Sequence, residues 1–154
     1  MTVQVWIAIL VGLAATIDDL SRRQIANWIP VAALAGGLGW QIGQNGWIGG
    51  WYALAGAAVG FAVFLIFYVL GGMGGGDVKL MAGFGALLGV TGVLWAALLT
   101  AAVGGVLALC AIGYNSLRGA GRNQDRPMGP EEKESIPYAP AITLGVWLSL
   151  VPKS

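Results

Sequence analysis

Apolar residues form six runs along the chain, and short polar or glycine-containing segments separate these runs. A helix needs about 20 apolar residues to cross a bilayer, and the run at 51–70 meets this length most clearly. A shorter run such as 78–90 would be re-entrant or would be extended by flanking residues. The pattern predicts an all-α, polytopic membrane protein with about six transmembrane helices, in the runs 3–17, 28–42, 51–70, 78–90, 93–114 and 141–151.

The breaks between the runs predict turns at the membrane surface and one longer polar loop. Gln44-Asn45-Gly46 is a polar turn signal, and tryptophans flank it at positions 40, 47 and 51. Aromatic residues gather at membrane interfaces, so this turn is expected at a bilayer surface. Thr91-Gly92 offers a second turn. Residues 115–135 hold a concentration of charged residues and two prolines, which predicts an exposed loop.

Composition supports a membrane protein and excludes several other classes. The chain is 57% hydrophobic and 10% charged, against about 45–50% and about 25% in globular proteins. Its length suits a single transmembrane domain over 1–154. No Lys or Arg precedes the first apolar run, so this run is not expected to be a cleavable signal peptide. The net charge of +1 and the lack of a basic stripe exclude nucleic acid as an expected partner.

The residue types that are missing restrict the chemistry. Histidine is absent and cysteine occurs once, as Cys110 in an apolar run. Ser-His and Cys-His catalysis and Cys/His zinc sites are therefore excluded, and neither a metal nor another cofactor is expected. Cys110 is interpreted as a small buried apolar residue rather than a reactive thiol. Catalysis, if present, depends on Asp, Glu, Lys, Tyr or Ser.

The distribution of basic residues predicts the orientation in the membrane. With six passes, all of the eight Lys and Arg residues except Lys153 fall after the first, third or fifth helix. Basic loops stay in the cytoplasm, so both chain ends are expected outside it. The same count places Asp18, Asp19 and Asp77 together at the cytoplasmic face.

Residues 74–80, Gly-Gly-Gly-Asp-Val-Lys-Leu, contain the only charged residues between Gln24 and Leu117, namely Asp77 and Lys79. Ionisable residues within apolar segments are costly and usually functional, and the glycines permit close backbone approach. Two adjacent carboxylates titrate as a coupled pair that shares one proton. One can then deprotonate water while its protonated partner polarises a peptide carbonyl.

Plainer interpretations of the same residues stay open. Asp18 and Asp19 could mark only the polar end of the first helix. Asp77 and Lys79 could form an interfacial pair, with Lys79 extended towards water. The glycines could serve only close helix packing.

Three segments resemble motifs of the type IV prepilin peptidases, which are Gly-x-Gly-Asp membrane aspartic proteases. Residues 74–80 resemble the motif Gly-x-Gly-Asp-x-Lys-Leu. Residues 19–27 resemble an Asp-Leu that is followed at a fixed distance by Ile-Pro-Asn. Residues 136–142 resemble a Pro-Tyr-x-Pro-Ala motif before the last helix. The segments occur in the family's order on the predicted cytoplasmic side.

The resemblance implies specific roles for individual residues. Asp19 and Asp77 would be the catalytic pair, and Asp18 is either a rival for the first role or a neighbour that perturbs the pKa of Asp19. Lys79 would favour the ionised carboxylate of Asp77. Gly74 and Gly76 would shape the loop that admits the substrate backbone, and the remaining motif residues are Asn27, Pro137 and Tyr138.

The resemblance also implies a substrate and a location. The substrate would be a prepilin or pseudopilin of a type IV pilus or protein-secretion system, cleaved between leader and helix at the cytoplasmic face of the inner membrane. Ala26 stands where the family usually has Pro, which removes a fixed backbone angle but no chemical group. The cysteine-containing segment of larger members is missing, so the chain resembles the short, peptidase-only members and methyl transfer is not expected.

Three other functions fit parts of the pattern. A preflagellin-type peptidase would use the same mechanism. A small proton-coupled transporter would use the aspartates as a relay near the bilayer midplane, and in a purely structural subunit both aspartates would be dispensable.

Overall fold

The computed structural model describes residues 3–22, 25–70, 73–119 and 138–150, although in 107–119 it gives side-chain surroundings for only a few residues. The prediction of an all-α protein is confirmed for this part of the chain. Three of the described helices are long and apolar enough to cross a membrane, the third of them over residues 75–106. The elements are α1 (Val3–Arg22), α2 (Trp28–Val69), α3 (Gly75–Gly119) and α4 (Ala139–Ser149).

Helix α2 folds back on itself at Gly46. This residue has φ 59° and ψ −146°, a region that is essentially restricted to glycine. A Cβ atom on Gly49 would overlap the carbonyl oxygen of Gln41. These two residues would lie about 12 Å apart in an unbroken helix, so α2 consists of two arms joined by a reversal. The turn predicted at residues 44–46 is confirmed.

Helix α3 reverses in the same way at Gly89, where φ is 69° and ψ is −179°. A Cβ atom on Gly60 of α2 would lie 2.6 Å from the oxygen of Met81 and 3.0 Å from Cγ2 of Val93. Residues 81 and 93 would be about 18 Å apart in a straight helix, so the chain folds back between them. The turn predicted at Thr91-Gly92 is wrong, because these residues are helical and Gly89 adopts the positive φ.

Hydrogen bonds from two glutamine side chains stabilise the reversal in α3. The carbonyl oxygen of Leu87, two residues before Gly89, accepts a hydrogen bond from Nε2 of Gln4 at 2.9 Å. The same oxygen accepts a second, longer bond from Nε2 of Gln41 at 3.4 Å. Polar groups within an apolar bundle need such partners, and these bonds link α1, α2 and α3 at one point.

Helices α2 and α3 pack against each other along most of their length. At the closest approach, a Cβ atom on Gly56 would overlap the oxygen of Gly85, and a Cβ atom on Gly85 would overlap the oxygen of Gly56. Small residues allow this approach in membrane bundles. The largest fully buried side chains belong to α2, α3 and α4. They are Phe64, Phe84, Ile29, Leu80, Met81, Leu87, Ile142, Val93 and Val146.

Helix α4 packs between α1 and α3. Thr143 Oγ1 donates to the carbonyl oxygen of Gly12 at 3.2 Å, and Trp147 Nε1 donates to the carbonyl oxygen of Ala8 at 3.2 Å. These bonds hold α4 antiparallel to α1, and they place the first residues of α4 beside the end of α1 that carries Asp18 and Asp19.

The outer surface of the described helices is strongly apolar. Trp47 and Trp51, next to the reversal in α2, expose 87% and 73% of their surface. Cys110 is also exposed, so the prediction that it is buried is wrong, because this part of α3 faces outward. The first five residues of the predicted polar loop 115–135 are helical, because α3 continues to Gly119. Residues 120–135 lie outside the described residues.

Candidate active site

Asp19 lies in the last turn of α1 and is only 8% exposed. Its Oδ2 accepts a hydrogen bond from the backbone N–H of Ala139 at 3.1 Å. Ala139 is the first residue of α4 and Pro140 follows it. The first N–H groups of a helix lack partners within the helix and carry a partial positive charge. The start of α4 is therefore a favourable partner for this carboxylate.

Asp77 lies in the first turn of α3 and is 6% exposed. Its Oδ2 accepts a hydrogen bond from the N–H of Gly74 at 3.2 Å, and its own N–H donates to the oxygen of Gly74 at 3.2 Å. This reciprocal pair resembles a capping box, with Asp in place of Glu or Gln. The bonds fix the Asp77 carboxylate at the start of the helix.

The two carboxylates meet in one pocket of about 320 Å³. The pocket also contains most of the motif residues identified in the sequence. Its lining consists of Asp19, Ile25, Asn27, Gly74, Gly75, Gly76, Asp77 and Lys79. The tertiary structure therefore joins the first and second sequence motifs.

Lys79 binds an amide rather than the neighbouring carboxylate. Its Nζ donates to Oδ1 of Asn27 at 3.0 Å. Both residues line the aspartate pocket, and both also line a mostly apolar groove of about 340 Å³ between α2 and α3. The Asn27–Lys79 bond thus lies between the aspartate pocket and this groove.

Asp18 is turned away from the pocket. Its Oδ2 accepts a hydrogen bond from the N–H of Ala26 at 2.7 Å, and its Oδ1 lies 3.6 Å from Nε of Arg22. Asp19, the residue that the motif spacing favours, is the one that reaches the pocket.

Tyr138 lies beside the pocket rather than in it. It lines an apolar cavity of about 200 Å³ together with Phe64 and Met73, and its ring is 3.6 Å from the Cβ position of Gly104. Pro137 is outside the described residues. The cavity is adjacent to the aspartates, since Met73 and Tyr138 directly precede the two backbone donors, those of Gly74 and Ala139.

Sequence reasoning missed the backbone donors of the site, at residues 26, 74 and 139. Every residue except proline carries an N–H, so a donor has no distinctive residue type. One indirect signal was present: Pro140 is typical of the first turn of a helix, and the N–H groups that begin α4 could have been expected to need an acceptor.

The arrangement can support acid–base chemistry on a water molecule. Two buried carboxylates in one pocket cannot both ionise easily, so such a pair can share one proton. The ionised group can accept a proton from water, and the protonated group can donate a hydrogen bond to a carbonyl oxygen.

Comparison with known proteins identifies the family of the chain. A family model described as the type IV leader peptidase family matches residues 6–109. Neither the curated proteins nor the solved structures give a significant match. The matched residues include both pocket aspartates and two thirds of the chain. The chain therefore belongs to the type IV leader peptidase family.

Proposed function

We propose that the protein is a membrane aspartic endopeptidase in which Asp19 and Asp77 jointly activate the water that cleaves a peptide bond. The observation that carries this proposal is that two carboxylates from different helices line one pocket. Membership of a peptidase family supplies the reaction type. Backbone N–H groups hold the two carboxylates. The two acids are therefore free to exchange a proton.

The proposed reaction conserves protons. The ionised carboxylate takes a proton from water, and the oxygen of that water bonds to the peptide carbonyl carbon. The protonated carboxylate gives its proton to the carbonyl oxygen as the tetrahedral intermediate forms. The first carboxylic acid then protonates the leaving nitrogen, the C–N bond breaks, and the hydroxyl proton returns to the second aspartate. The pair is thereby restored with one shared proton.

The proposed topology has six membrane passes. It is supported by the reversals at Gly46 and Gly89, which divide α2 and α3 into two arms each. With α1 and α4, these arms correspond to the six apolar runs. The distribution of Lys and Arg supports a cytoplasmic position for the aspartate pocket and an outside position for both chain ends. The location would be the cytoplasmic, or inner, membrane.

The proposed substrate is a prepilin or pseudopilin, cleaved where its polar leader meets its apolar helix. Two features support such a boundary substrate. The aspartate pocket has polar walls, whereas the neighbouring groove and cavity are mostly apolar. A preflagellin-type substrate has the same character. A proton-coupled transporter is less well supported, because both aspartates lie at helix ends in one pocket.

Leader release by the purified protein in lipid vesicles tests the proposal. A synthetic prepilin-like substrate is incubated with the wild type and with Asp77→Asn. We expect the wild type to release the leader and the variant to be slower by a factor of about 10² to 10⁴, the usual contribution of one acid–base group. Full cleavage by Asp77→Asn, or no cleavage by the wild type, would reject it.

A further inference from the structure

Asp18 and Asp19 are neighbours on α1 but have different partners. Asp18 Oδ2 accepts the N–H of Ala26 at 2.7 Å, a short bond of the charge-assisted type. Its side chain is 18% exposed, whereas that of its ion-pair partner Arg22 is 78% exposed. An exposed pair at 3.6 Å contributes little, so the bond to Ala26 is the main interaction of Asp18.

Ala26 lies in the middle of a short segment, residues 25–27, that also contacts the start of α3. On one side of Ala26, the Cβ atom of Ile25 lies 3.1 Å from the Cβ position of Gly76. On the other side, Oδ1 of Asn27 accepts the Lys79 bond at 3.0 Å. The two contacts flank Asp77 in the sequence. The segment therefore connects the end of α1 to the residues on both sides of the second aspartate.

We propose that Asp18 is a positioning residue: its hydrogen bond to Ala26 holds residues 25–27 against Gly76 and Lys79, and so fixes Asp77 opposite Asp19. This proposal rests on the proposed peptidase function. Asp19 is carried by α1 and Asp77 by α3, and among the described elements these two helices share few direct contacts. A link through residues 25–27 therefore adds to the contacts through α2 and α4 that set their relative position. Misplacement of a reacting group by about 1 Å can reduce a rate about a hundredfold.

Four variants separate the hydrogen bond of Asp18 from its charge, which also acts on Asp19. Asp18→Asn removes the charge and keeps an acceptor oxygen. Asp18→Ala removes both. Ala26→Pro removes the donor and fixes the backbone angle at this position, as in the family motif. Ala26→Gly keeps the donor and serves as its control.

Leader-release kinetics give the first test, with each rate divided by the amount of folded protein. We expect Asp18→Ala to lower kcat by about tenfold to hundredfold, with KM changed much less, because the reacting groups are misplaced. Ala26→Pro should lower kcat less, because the fixed backbone angle of proline restrains the segment in place of the hydrogen bond. Asp18→Asn should restore kcat to within about fivefold of wild type, since a neutral acceptor is only moderately weaker. The Asp18→Ala/Ala26→Pro double variant should be no slower than Asp18→Ala, because the hydrogen bond is already lost in that single variant.

Disulfide formation gives a test that needs no activity. In a Cys110→Ser background, Ile25→Cys and Gly76→Cys place two thiols at a Cβ separation close to that of a disulfide. We expect rapid cross-linking in this protein and clearly slower cross-linking when Asp18→Ala is added. Ala26→Gly should cross-link like the parent.

The outcomes distinguish the two proposals. If the wild type cleaves the substrate but Asp18→Ala keeps full kcat, the positioning role is wrong and the peptidase function stands. Equal cross-linking in all variants would also overturn the positioning role. If the wild type does not cleave, the peptidase function fails, and the cross-linking rates still decide whether Asp18 holds the segment.

Discussion

Replacing Asp19 by Asn or by Ala separates its proposed chemical role from its structural role. In Asp19→Asn, the amide oxygen can still accept the Ala139 N–H, which Asp19 Oδ2 accepts at 3.1 Å in the wild type. In Asp19→Ala this acceptor is lost. Both variants lack the carboxyl group, so they share the chemical defect and differ in the hydrogen bond.

The structure sets the magnitude of the difference. Ala139 is 0% exposed, so water cannot readily replace the lost acceptor, and a buried unsatisfied donor costs about 1–3 kcal/mol. For a chain of this size each kcal/mol lowers the unfolding temperature by about 2–4 °C. Asp19→Asn loses the interaction of its charge with the dipole of α4, about 0.3–1 kcal/mol. The variant also loses the electrostatic repulsion between this charge and those of Asp18 and Asp77. Its stability should stay close to that of the wild type.

Two assays are needed. The first is thermal unfolding in detergent, monitored by tryptophan fluorescence, and the second is leader release in vesicles. We expect both variants to lose activity by about 10² to 10⁴, and only Asp19→Ala to unfold at a clearly lower temperature. Thr143→Val is the matched control, because it removes the buried bond between α4 and the Gly12 oxygen and leaves the carboxylates intact. It should lower stability and retain activity per folded molecule.

Two results would refute this reasoning. If Asp19→Asn cleaved the substrate at more than about a tenth of the wild-type rate, the carboxylate would not be an essential acid or base. If Asp19→Asn and Asp19→Ala unfolded at the same temperature, the bond to Ala139 would contribute nothing to stability.

Three further predictions concern the reversal in α3, the lysine beside the pocket and the coupled acids. Gly89→Ala should lower the free energy of unfolding by about 1–3 kcal/mol, since the backbone conformation of Gly89 is nearly restricted to glycine. Gly105→Ala, at a helical position with open space, is the control and should be neutral or slightly stabilising in the same unfolding assay. Lys79→Met should lower the leader-release rate by less than about tenfold, because it removes one exposed hydrogen bond to Asn27; a loss as large as that of the aspartate variants would contradict this. The rate should show a bell-shaped dependence on pH, since only the singly protonated pair is active, and a rate that is constant from acid to alkaline pH would argue against a shared proton.

Much of the fold could be predicted from local patterns in the sequence. The apolar runs indicated helices because a segment in a bilayer must satisfy its backbone groups internally. Gly46 was identified as a turn because polar residues precede it. The reversal at Gly89 was misplaced to Thr91-Gly92, since 89 is one of several glycines in an apolar stretch. Which of them takes a positive φ depends on the packing of α3 against α2.

The sequence by itself determined which groups are available for chemistry. It has no histidine, and it places Asp77 in a long apolar stretch, where an ionisable group is costly unless it has a function. These properties are local and need no coordinates. They were sufficient to select Asp18, Asp19 and Asp77 as the acids to consider.

Only the tertiary structure decided which acids share a pocket and what holds them. Neighbouring residues on a helix point about 100° apart, so the orientation of α1 sends Asp19 into the pocket and Asp18 to Ala26. The donors to the three carboxylates are backbone N–H groups of residues 26, 74 and 139. Since the backbone is the same at almost every position, these partners are set by where the helices begin and how they pack, and not by the identity of any side chain.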